Sequence, residues 1–142
     1  MKHDSDEEKV FYEGEIRTFS EACEIVIQRM IELDLRNAPE FTPESDPYKW
    51  LASNMKKNIR VLRGWAYDWN SSSGMRPTLN DFLKIIYITK SRRAIELLEE
   101  IISNATPEQK ARNHGDLLKQ VAAGMRELAD HIESIAEKNK NV

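Results

Sequence analysis

The chain has 142 residues, 40% hydrophobic and 32% charged, with a formal net charge of −3; these are the values of one folded domain with room for an extension, and they exclude wholesale disorder. Five glycines and five prolines leave little room for the turns of an all-β fold, and a lone Cys23 excludes an internal disulfide, which points to a reducing compartment. No apolar run approaches the roughly 20 residues of a membrane span, and the acidic opening MKHDSDEEK is wrong for a secretory signal, so the expectation is a cytoplasmic protein with no membrane partner.

In chain order, residues 1–18 read as an acidic, mobile arm, with the run Asp4-Ser5-Asp6-Glu7-Glu8 either simply solvated or competing with a polyanion for basic surface. Thr18-Phe19-Ser20-Glu21 has capping-box form, and Phe19, Ala22, Cys23, Val26, Met30 and Leu33 recur at threes and fours behind it. That predicts a first helix over about 19–35, stopped by Asn37-Ala38-Pro39. Asp46 followed by Pro47 is a cap and a first helical residue, opening a short helix over about 47–55. Asn58 caps a third helix over about 59–68, with Ile59, Leu62, Trp65 and Ala66 on one side. NSSSGMRP is a loop by composition. Thr78 or Asn80 opens a fourth helix, LNDFLKIIYI, and TKSRR breaks it from a fifth, AIELLEEIIS. Thr106-Pro107 starts a last helical segment that pauses at His114-Gly115 and runs to about Lys138. The expected fold is all-α: an arm (1–18), a compact helical domain (19–104) with a helix-turn-helix at about 47–68, and a C-terminal amphipathic oligomerisation helix (105–142).

Charge is distributed unevenly over these elements. Residues 1–46 carry five Lys/Arg against thirteen Asp/Glu, residues 47–93 ten against two, and residues 94–142 six against nine. Either the acidic block neutralises the basic one inside the fold, or the basic block is open to a polyanion. The second and third helices favour the latter. Leu51, Ala52 and Met55 supply an inner side for one, Leu62 and Trp65 for the other, and small Ala52 allows close approach. Asn58, Arg60, Arg63, Gly64 and Tyr67 then point outward, a set able to bond guanine, adenine and phosphate in a major groove. Lys49, Lys56, Lys57 and Arg76 flank them as phosphate contacts, with Lys90, Arg92 and Arg93 further away. Gly64 inside a helix costs roughly 1 kcal/mol against Ala; an approaching groove wall or a packing constraint would each account for it. Trp50, Trp65 and Trp69 read as core, Trp69 having the alternative of lying on a sugar or phosphate.

These residues carry a resemblance. EAC at 21–23, LA at 51–52, NIRVLR at 58–63 and TLNDFLKIIYIT at 78–89 resemble, in order and spacing, the CII-type transcription regulators of P2-like temperate phages, over about residues 20–93. The resemblance implies an oligomeric, sequence-specific DNA-binding protein acting on phage promoters, with Asn58, Arg60 and Arg63 in the DNA-facing role. The chain departs from the pattern at the turn, where Lys56 and Lys57 stand in place of a glycine and an apolar residue, and in a longer stretch between Leu35 and Asp46.

In the last segment Leu118, Val121, Met125, Leu128, Ile132 and Ile135 follow the three-four rhythm of a coiled-coil seam. Such a stripe serves self-association into a dimer or tetramer, or a fold-back onto its own domain. No catalytic constellation is present: His3, His114 and His131 are scattered, Cys23 falls on an apolar helix face, and Glu127 and His131, four apart, have the spacing of an ordinary surface pair. No cofactor motif or metal-ligand spacing appears. The expected partners are double-stranded DNA, further copies of the chain and a host transcription protein; a helical protein-interaction module and an antitoxin-like regulator are the alternatives.

Overall fold

The computed structural model describes residues 7–69 and 74–140. Residues 1–6, which include His3 and most of the acidic run, and residues 70–73 of the expected loop lie outside the described residues. The chain is mostly helical, but the all-α expectation needs a correction. Residues Lys9–Tyr12 (β1) and Glu15–Thr18 (β2) pair as an antiparallel hairpin, Lys9 opposite Thr18 and Tyr12 opposite Glu15, within the segment expected to be an arm. Glu13 and Gly14 both take positive φ, 49° and 78°, the two-residue turn whose twist matches that of the strands it joins. Val10 and Tyr12 alternate inward onto the core.

The acidic segment also has a structural task. The Glu7 carboxylate accepts from the backbone N–H of Ser20 at 2.9 Å and from its hydroxyl at 2.6 Å, at the start of helix α1 (Phe19–Glu32). Two donors of the first turn are thereby satisfied, and a negative charge sits at the positive end of the helix. Thr18 caps the same turn by accepting from Glu21 N–H, as its capping-box sequence predicts.

Helix α1 is the centre of the domain. Ala22, Val26, Ile27, Met30 and Ile31 are fully buried, which is more than one stripe of the helix, because the other elements pack around it. Helix α2 (Pro47–Met55) adds Leu51 and Ala52, α3 (Ile59–Tyr67) adds Leu62, Trp65 and Ala66, α4 (Leu79–Thr89) adds Ile85, and α5 (Arg93–Ile102) adds Ala94 and Leu97. Asp46, Asn58 and Thr78 cap α2, α3 and α4 by accepting from Tyr48, Arg60 and Asp81 N–H. Leu33, expected inside, is 49% exposed: α1 ends at Glu32, and a 3-10 turn over Asp34–Asn37 rotates Leu35 into the core instead. Trp65 is buried, and Trp50 and Trp69 pack partly buried against the core.

The last helix, α6 (Pro107–Lys140), is continuous for 34 residues, with no pause at His114-Gly115. Its first turns hold it to the domain. The Lys110 ammonium donates to the Glu100 carbonyl at 3.1 Å and meets the Glu100 carboxylate, and the His114 ring lies 5.5 Å from that of Phe11. From Asp116 to Lys140 every residue is exposed. The helix therefore does not fold back along its own domain. No helix among the described residues is long and apolar enough to cross a membrane.

Candidate nucleic-acid interface

Helices α2 and α3 are joined by a turn that closes in Schellman form. Lys57 N–H donates to the Ala52 carbonyl at 2.9 Å and Lys56 N–H to the Ser53 carbonyl at 3.3 Å, with Lys56 left-handed at φ 56°. Lys56 thus takes the left-handed conformation that favours glycine, at a steric cost of about 1–2 kcal/mol. Asn58 follows immediately and spends its side-chain oxygen on the cap of α3. Its carboxamide therefore has a structural role besides any contact outward.

Along α3, Arg60, Arg63 and Tyr67 lie at i, i+3 and i+7 on the exposed side. Their surroundings differ. The Arg63 guanidinium is 3.3 Å from the Asp46 carboxylate and 5.7 Å from the Tyr48 ring centroid, against the first turn of α2. Asp46 thus caps α2 with one oxygen and holds Arg63 with the other. The Tyr67 hydroxyl donates to Glu32 Oε2 at 2.6 Å, and the Tyr48 hydroxyl donates to the same oxygen at the same distance. One carboxylate at the end of α1 therefore ties α2 and α3 together. Arg60 is exposed and has no partner among the described residues, and the same holds for Lys49 and Lys56. The Lys57 ammonium lies 3.5 Å from the Asp81 carboxylate, whose backbone N–H is capped by Thr78. The Thr-x-x-Asp start of α4 is accordingly a clamp on the α2–α3 turn.

Gly64 was expected on the outward face and is buried instead. A Cβ there would lie 2.4 Å from Met75 Sδ and 2.9 Å from Met75 Cβ, so the segment leading into α4 crosses the helix at this point. The glycine admits the chain's own methionine, and the groove-wall explanation is dropped. Gly64→Ala is expected to destabilise by about 1 kcal/mol net, because overpacking of about 1–3 kcal/mol outweighs roughly 1 kcal/mol of helix propensity. Urea midpoints would show it, and Met75→Ala in the same chain should restore stability; a gain from Gly64→Ala alone would refute the contact. Arg76, next to Met75, stacks 5.1 Å over the Trp69 ring and donates to the Trp69 carbonyl at 3.5 Å. That sets it beyond the C-terminal end of α3, apart from the lysines of the turn.

Charges far apart in sequence are brought together elsewhere too. Arg93 makes a two-pronged contact with Asp34 at 2.7 and 3.1 Å, and Ser91 donates to the same carboxylate at 2.6 Å. Lys90 sits 3.8 Å from the Tyr87 ring centroid. The acidic first block thus neutralises Arg63 and Arg93, α4 supplies the acid for Lys57, and the basic block is open only in part.

No protein-family model, curated protein or solved structure matches the chain.

The paired tyrosines have a consequence for pH. Burial first, then the Glu32 contact, pushes the Tyr48 hydroxyl well above its ordinary value of 10.0, and the Glu32 hydrogen bond, then burial, pushes Tyr67 up. Both groups stay protonated in the fold and ionise more readily in the unfolded chain. Their stabilisation is complete below about pH 10 and is lost as the pH rises through the folded values. Urea midpoints should fall between pH 9 and pH 11 as roughly this linkage requires, and Tyr48→Phe should flatten the fall; an unchanged slope would contradict it.

Proposed function

We propose that the chain is a DNA-binding transcription regulator of the CII type found in temperate phages, with α2 and α3 as its helix-turn-helix and α3 laid in the major groove, working as an oligomer. One observation carries the reading: Arg60 stands exposed and unpartnered on the outward line of a short capped helix, directly after a tight turn bearing Lys56 and Lys57. Such a helix offers a guanidinium to a base edge, and the turn offers the Lys56 ammonium to phosphates, with Lys57 held beside it by Asp81. Arg63 and Tyr67 are pre-positioned by Asp46 and Glu32, and Asn58 is divided between cap and groove. Lys49 completes the phosphate-facing set on α2. No chemistry is performed; the mechanism is binding.

Selection of bound sequences from a random pool, followed by gel shifts across salt, tests the reading. A defined site should emerge, and neutralising four or five phosphates should give a log–log salt slope of about −4. Salt-insensitive binding, or none at low ionic strength, would end it.

A second reading, a helical protein-interaction module, is favoured by a different observation. Leu79, Leu83 and Tyr87 form an exposed line on α4 at 74%, 53% and 69% exposure, and Ile95, Leu98 and Ile102 form another on α5. The absence of any DNA site from the selection would turn attention to those faces.

A further inference from the structure

The exposed part of α6 carries a pattern that specifies more than association. Leu118, Val121, Met125, Leu128, Ile132 and Ile135 alternate as a and d positions, each between 46% and 66% exposed, on a helix that touches its own domain only at its first turns. A 25-residue amphipathic helix without a partner leaves its apolar stripe in water. We propose that the partner is a second copy of α6 running antiparallel, in a two-chain assembly whose two-fold axis passes between Arg126 and Glu127.

Net charge along the helix favours this direction, although its charged groups lie at b, c and f, outside the flanking e and g positions. Residues 116–126 carry Asp116, Lys119 and Arg126, a net of +1, whereas residues 127–137 carry Glu127, Asp130, Glu133 and Glu137, a net of −4. A parallel pair sets each acidic segment beside its own copy. An antiparallel pair sets it beside the weakly basic one, and the layers fall into place together: Leu118 meets Ile135, Val121 meets Ile132, and Met125 meets Leu128. The flanking positions agree. Ala122, Ala129 and Ala136 occupy successive e positions. In an antiparallel pair e faces e, so alanine meets alanine and the backbones approach closely. In a parallel pair e faces g, and alanine opposite Leu117, Gly124 or His131 supplies none of the ion pairs that hold a parallel register.

The geometry of such a pair bears on the proposed function. The globular domains leave the pair at residue 115, which lies level with residue 138 of the other copy, so they are about 34 Å apart along the axis at 1.5 Å per residue. Half-sites one turn of DNA apart need about the same distance. The pairing rests on the oligomeric part of the proposed function and not on its DNA part, so its test uses no DNA.

In a full-length Cys23→Ala background, chains bearing Leu118→Cys and chains bearing Ile135→Cys, one of them carrying a mass tag, are oxidised in a glutathione buffer alone and mixed. The antiparallel pair places the two Leu118 positions about 26 Å apart along the axis, far beyond the ~7 Å that a disulfide spans. The expected result is a 118–135 disulfide in the mixture and none in either chain alone. Val121→Cys with Ile132→Cys should behave identically and guards against a local effect at one layer. The unsubstituted chain should sediment at twice its 16.5 kDa mass. Cross-linking of Leu118→Cys with itself, no cross-link at either layer, or a mass of one or four chains overturns the proposal.

Discussion

Arg60→Ala should weaken binding to the selected DNA site by about 1–3 kcal/mol, a loss of about 5- to 150-fold, while leaving the circular-dichroism spectrum and urea midpoint unchanged. Arg60 is exposed and has no hydrogen-bond or ion-pair partner for its guanidinium among the described residues, so its removal takes away chiefly an outward contact. Arg63→Ala is the informative comparison. Its guanidinium already faces Asp46 and the Tyr48 ring, and must give up part of that arrangement to reach a base. Both partners of the ion pair are largely exposed, so the pair itself contributes little to stability. Arg63→Ala should therefore cost less in affinity than Arg60→Ala, and Asp46→Asn, which keeps a capping oxygen, should leave Arg63 freer and raise non-specific DNA affinity. Equal binding by wild type and the Arg60→Ala, Arg63→Ala double variant, with both folded, would remove α3 from the interface.

Glu32→Ala is expected to cost about 2–3 kcal/mol of stability, and Glu32→Gln about 1 kcal/mol. The alanine removes the acceptor that the two tyrosines share and leaves buried Tyr48 only the Tyr67 hydroxyl beside it, whereas the exposed Tyr67 hydroxyl can turn to water. Glutamine retains an oxygen at the same place and loses only the charge assistance. The variant also releases the common anchor of α2 and α3, so DNA affinity under fully folding conditions should drop for Glu32→Ala although Glu32 belongs to α1. Thermal melts beside gel shifts separate the two effects. A Glu32→Ala chain as stable as wild type would show that the shared oxygen is not a brace.

Much of the local structure was legible in the sequence because it is governed by near neighbours. Asp46-Pro47, Asn58 and Thr78 each announce a helix start through a side chain that reaches a backbone N–H two or three residues on; Asp46 and Asn58 cap as expected, and of the two candidates Thr78 and Asn80 it is Thr78 that caps α4. The hairpin was not legible in the same way. Four-residue strands are too short for alternation to stand out from a helical stripe, and the signal left was Glu13-Gly14 between two β-branched and aromatic stretches.

The apolar stripe of α6 could be read from spacing alone, since a three-four rhythm is set by helix geometry whatever surrounds it. So could the order of the helices and the basic character of the central block. Only the tertiary structure decided which of those charges remain open. An ion pair depends on the folded distance between residues remote in sequence: Asp34 reaches Arg93, Asp46 reaches Arg63, and Asp81 reaches back to Lys57. The burial of Gly64 was settled in the same way, by the path of Met75 over α3. Composition counts these groups, but the attraction between them falls with distance and with solvent exposure, and both are properties of the fold.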